Sequence, residues 1–137
     1  MKKCMFLLLF CLLTLAGCAT VEDLRTANEI NSMDSELMIL IQNTNNMSKE
    51  EKDMALASLS IEAIKQADIQ FSSGGQTDKL NGLSYLRIAA TSLWQDSSFE
   101  SASTLFEIES KSKLVCDELR KDNKQPDRDC YYLSVVT

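Results

Sequence analysis

Histidine is absent from all 137 residues. With it go the commonest general base and the commonest metal ligand near neutral pH, and a serine–histidine nucleophile is ruled out. One proline and four glycines leave few natural breaks, and no stretch alternates apolar with polar residues as a half-buried strand would. Gly74-Gly75 is not followed by lysine and serine at phosphate-loop spacing, so it reads as a polar turn. Carboxylates nowhere take calcium-loop spacing. The acidic pairs Glu22-Asp23, Glu50-Glu51 and Asp117-Glu118 read as solvated helix faces rather than acid–base sites. The expectation is a chain with no catalytic residues, no metal and no cofactor.

Positive charge is also scarce, at fourteen Lys+Arg against twenty Asp+Glu. Two of those bases, Lys2 and Lys3, precede an apolar stretch from Met5 to Leu15 that is too short for a permanent membrane span. Leu15-Ala16-Gly17-Cys18 then supplies small residues at a cleavage position. This ending resembles the lipobox of bacterial lipoproteins. The resemblance implies a signal peptide over 1–17, removal just before Cys18, and diacylglyceryl and N-acyl groups on Cys18. Each buried acyl methylene is worth about 0.8 kcal/mol, and stable anchoring takes more than one chain. Alanine rather than aspartate at position 19 implies sorting to the outer membrane, on its periplasmic face. The mature chain, 18–137, keeps twelve bases against twenty acids, a net charge of −8. That surplus argues against nucleic acid and against a second, electrostatic attachment to anionic lipid.

Of the five cysteines, Cys4 and Cys11 leave with the signal peptide and Cys18 carries lipid. Cys116 and Cys130 remain as an even pair in an oxidising compartment and are expected to form a disulfide. A reactive or metal-binding thiol pair would need histidine, CxxC spacing or a basic surrounding, and none is present.

Apolar residues recur at helical spacing, so the fold class is all-α, a single domain of four to five helices. Leu24, Ala27, Ile30, Met33, Leu37 and Leu40 mark a first helix, with a break expected near Asn31-Ser32. Asn43 to Asn46 reads as a turn. Ser48 and Glu51 form a capping box, opening a helix with Met54, Ala57, Ile61, Ile64 and Phe71 on its buried face. Ser72 to Gly75 ends it. Thr77 or Asp78 caps the next helix, with Leu80, Leu83, Leu86, Ala90 and Leu93 inside. After a tight connection at Asp96, Ser97 with Glu100 makes a second capping box. The helix that follows buries Phe99, Ala102, Leu105, Phe106, Val115 and Leu119, and Asn123 to Pro126 break it. The tail is expected as a short helix or an extended piece pinned by Cys130.

Ala89, Ala90 and Leu93, followed by Phe99, Ala102 and Phe106, resemble a tetratricopeptide helical hairpin over about residues 83–110. The family repeats at about 34 residues, and Ile64, Ala67 and Phe71 echo the second set 35 residues earlier. Glu109, the missing closing proline and the missing upstream turn depart from the family pattern. Trp94 either covers the corner between two helices or anchors a partner, and Tyr85 is a second partner-binding candidate. The expected function is a non-enzymatic envelope lipoprotein that binds a secretion-system or other envelope protein, in one form pilotin-like. The alternative is an inhibitor or immunity-type lipoprotein whose acidic surface suits a toxic periplasmic enzyme.

Overall fold

The computed structural model describes residues 2–43, 46–95, 99–122 and 127–137, with side chains from Val21 onward apart from Phe99. Among the described residues the fold is all-α, with five helices. They are α1 (Lys2–Gln42), α2 (Lys49–Ser73), α3 (Gln76–Trp94), α4 (Phe99–Asp122) and α5 (Arg128–Val136). The connection at Asp96, the Ser97 cap and the break at 123–126 lie outside the described residues, as do Thr44 and Asn45 of the first turn.

Local chemistry sets the helix ends. Asn43 and Asn46 both take positive φ, 49° and 54°, a region asparagine tolerates better than most side chains. The Asn43 side chain closes the turn by accepting from the Met47 amide at 3.0 Å. The capping box forms as expected: the Glu51 amide donates to Ser48 Oγ at 3.3 Å, and the Ser48 amide donates to Glu51 Oε2 at 2.8 Å. The Ser48 hydroxyl and then its amide hold the Glu51 carboxyl below the usual carboxylate range. Gly74 ends α2 at φ 77°, the left-handed position that glycine fills without a Cβ penalty. Helix α3 starts earlier than expected. Gly75 is its N-cap, without a side-chain bond, and Thr77 and Asp78 lie inside the first turn. Helix α1 runs through Asn31-Ser32 without a break. The tail is helical, and its Asp127 cap accepts from the Asp129 amide at 2.8 Å.

Helix α3 packs against all four of the others, while α1 also packs on α2 and α5 on α4. Side-chain pairs give the directions. Ser84 meets Asp129 and Thr91 meets Tyr132, so α3 and α5 are parallel. Lys79 pairs with Glu118 near the start of α3 and the end of α4, so those two are antiparallel. As the central helix, α3 is buried on nearly every side, with Leu83, Tyr85, Leu86, Ile88, Ala89 and Ala90 fully enclosed.

The expected core faces of α2 and α4 are rotated. The buried residues of α2 are Leu56, Leu59, Ser60, Ala63 and Ala67, whereas Met54 and Ile61 are exposed and Ala57 faces solvent. On α4 the buried positions are Ser101, Ile108, Ser112, Cys116 and Leu119, whereas Ala102 and Phe106 are exposed. On α1, Leu24 and Ala27 are exposed and Thr26 is buried. The cause is helix spacing: small residues on α2 and α4 let their backbones approach α3. The buried serines are affordable because Ser60, Ser92 and Ser112 each donate to a carbonyl of their own helix at 2.8–3.0 Å.

At Gly82 of α3 a Cβ would overlap the Phe71 ring of α2. Gly82→Ala should therefore lower stability, because overpacking costs about 1–3 kcal/mol against a helix-propensity gain of about 0.8–1.0 kcal/mol. Urea denaturation checks this, and Phe71→Ala in the same background should remove the penalty. A plain gain in stability would mean the ring yields freely.

Candidate functional site

Two seams run along α3, where outer helices do not meet. One lies between α1 and α5 and is closed by Arg87, the only charge between Leu80 and Trp94. Its guanidinium donates to both Asp34 oxygens of α1, at 3.0 and 2.6 Å. Its Nε faces Asp129 Oδ1 of α5 at 3.4 Å. The other Asp129 oxygen accepts from Ser84 at 2.7 Å. Burial opposes the charge on Arg87, but the hydrogen bonds to Asp34, with the Asp34 and Asp129 charges, outweigh it and raise its pKa. One cation thus ties three helices together. This arrangement can hold the bundle shut, although Arg87 Nε and Asp129 Oδ1 are left without a hydrogen bond of good geometry.

The second seam, between α2 and α4, is crossed by Lys111, which donates to both Asp68 oxygens at 3.0 and 3.1 Å and pairs with Glu107. Its upper end is a small hollow of about 20 Å³ among Leu56, Ala57, Leu93 and Ser101. A larger groove, about 250 Å³, lies between α4 and α5. Cys116 and Cys130 form its floor, joined as a disulfide, and Glu109, Lys113, Asp117 and Arg120 line its rim. The charges there alternate in sign, and Arg120 pairs with Asp117 at 3.5 Å. Nothing in that lining concentrates one kind of chemistry.

The sequence candidates fall in different places. Tyr85 has no exposed surface, so it is a core residue and not an interface anchor. Trp94 is 61% exposed at the C-terminal end of α3, and the corner that follows it lies outside the described residues. The Cys18 side chain lies outside the described residues. These residues do not converge on one site. The sequence reading did not see an outer face on α2: Met54, Ala57 and Ile61, which it placed inside, stand exposed with Ile69 on one side of the helix around Lys65. Its signal was a second apolar stripe on one helix, offset from the first. Glu50, Glu51, Asp53 and Glu62 flank it along the same helix, Glu62 pairing with Lys65 at 3.7 Å, while Asp68 is taken up by Lys111.

The Tyr85 hydroxyl is buried without a hydrogen-bond partner. Burial first, then the nearby Glu29 carboxylate, push its pKa up to about 12 from 10.0. A phenol whose pKa is raised in the folded state contributes stability that is full below pH 10.0 and is lost as pH climbs through about 12. Tyr85→Phe should move alkaline unfolding to higher pH. At neutral pH it should leave stability unchanged or raise it by about 1 kcal/mol, since an orphaned hydroxyl is removed. Circular dichroism with tyrosinate absorbance across the titration checks both.

No family model, curated protein or solved structure matches the chain.

Proposed function

We propose that the chain is an outer-membrane lipoprotein whose helical bundle binds another envelope protein and performs no catalysis. The anchor is supported by Lys2-Lys3, the apolar run to Leu15 and the lipobox closing on Cys18. The observation that carries the binding role is that α2 has two apolar faces and the fold uses one. Ile61, at the centre of the other, is 68% exposed. Apolar side chains aligned on one helix face suit an amphipathic helix laid against them. A carboxylate rim favours a partner with basic flanks and speeds encounter in a salt-dependent way. The acyl chains confine the module near membrane partners, which raises its effective concentration.

A photo-crosslinking residue at position 61 of the full-length protein, in its native cells, tests this. The control is the same residue at Ser110, exposed on α4. The expected result is one envelope component captured from 61, not from 110, and lost in Cys18→Ser. Capture of a soluble hydrolase instead would favour the inhibitor reading. The same faint background from both positions would sink the binding role.

A further inference from the structure

We propose that the two helical turns after position 18 lie in the membrane interface, with Val21 and Leu24 sunk among the lipid headgroups beside the acyl chains. The proposal rests on lipid attachment at Cys18, as proposed above. Residues 21–25 are all exposed, and Thr26 is the first buried side chain among the described residues of α1. Val21 and Leu24 are 66% and 64% exposed, so no part of the bundle accounts for them.

Helical spacing puts Val21 and Leu24 on one side of α1, between position 18 and the far side of the helix, with Glu22 and Asp23 each at least about 100° round from both. The Val21–Leu24 side therefore presents two apolar residues with both acids turned away, and Arg25 lies at its edge next to position 18. An arginine stem can lie along apolar surface while its head reaches headgroup phosphates. Beyond these turns the same side becomes polar, through Asn28, Asn31 and Ser35, all exposed. A partner helix running along α1 would need the apolar stripe to continue. A lipid surface needs it only next to the anchor, where Val21 and Leu24 supply it; the next exposed large apolar residue on that side is Ile39, 18 residues beyond Val21. The rise of a helix keeps positions 21 and 24 within about 9 Å of position 18 along the axis, so the acyl chains hold both side chains beside the interface.

Bromolipid quenching decides the matter on full-length protein purified from membranes, its acyl mass verified, and reconstituted in phosphatidylcholine–phosphatidylglycerol vesicles. The lipids carry bromine near the glycerol end of the acyl chains. In a Trp94→Phe background, a single tryptophan is introduced as Leu24→Trp or as Asp23→Trp, both at exposed positions. The inference expects blue-shifted emission from the probe at 24, quenched several-fold more than from the probe at 23. Equal quenching, or none at either position in acylated, vesicle-bound protein, would overturn the interfacial placement while leaving the lipoprotein reading intact. Protein recovered without acyl mass would end both.

Discussion

Arg87→Ala is expected to destabilise the bundle by about 3 kcal/mol, the largest loss from any single charged residue in it. Removing one partner from a buried ion pair typically costs about 3–5 kcal/mol, because the other charge stays behind unpaired. Asp129, with its side chain 9% exposed, is that charge. After the substitution the Ser84 hydroxyl would support one oxygen, and the other would face only the solvent-exposed Arg128 guanidinium at 3.9 Å. The lower end of the range applies because the Arg87 side chain is 20% and Asp34 35% exposed, so solvent screens part of the network. Asp34→Asn should cost far less, since water reaches that end of the network. Arg87→Lys should fall between them: an ammonium keeps the charge but has no planar fork to engage both Asp34 oxygens and Asp129 together. Urea denaturation of the mature chain carrying Cys18→Ser, followed by circular dichroism, ranks the three. Equal losses for Asp34→Asn and Arg87→Ala would show that the α1 contact, not the buried Asp129, is what matters.

This network also marks where sequence reading stops. Helix class and most helix limits were legible because their causes are local. The Ser48–Glu51 box, the Gly74 cap and the Asn43 turn each depend on residues within a few positions. The cysteine pairing followed from compartment and counting. What was not legible depends on distance along the chain. Asp34 and Arg87 are 53 residues apart, and no local pattern joins them. A lone cation in the otherwise uncharged stretch from Leu80 to Trp94 was the available hint, since a buried charge requires a partner.

The rotated faces of α2 and α4 have a different cause. Periodicity locates an apolar stripe by its large residues, but a central helix crowded by four neighbours rewards small ones. Ala63 and Ala67 of α2 are fully enclosed and Ser60 nearly so, while Met54 and Ile61 point out. The tetratricopeptide-like spacing shows the same effect. Ala89 and Ala90 are buried as that resemblance implies, but Phe106, which should fill the gap to a following repeat, is 70% exposed. The residues that the core reading misassigned to the interior are thus those the fold leaves exposed.

Reducing the Cys116–Cys130 disulfide should lower stability by roughly 3 kcal/mol, the entropy of closing a loop of about 15 residues in the unfolded chain. The cysteines are 14 positions apart, joining α4 to the first turn of α5. The reduced protein should remain folded. Leu133 stays fully buried, Asp129 keeps Ser84 and Arg87, and the Tyr132 and Thr91 hydroxyls remain within 2.8 Å. Hydrogen exchange should therefore quicken in α5 before it does elsewhere. Denaturation with and without reductant gives the loss, and repeating it in Arg87→Ala shows how α5 is held. The two fastenings converge on one short helix, so their effects should not add. If losing Arg87 already releases α5, the crosslink restrains native and unfolded chains alike, and reduction should then cost markedly less than in the wild type. Equal costs in both backgrounds would mean that Leu133 and the Tyr132–Thr91 contact dock α5 without help from the charged network.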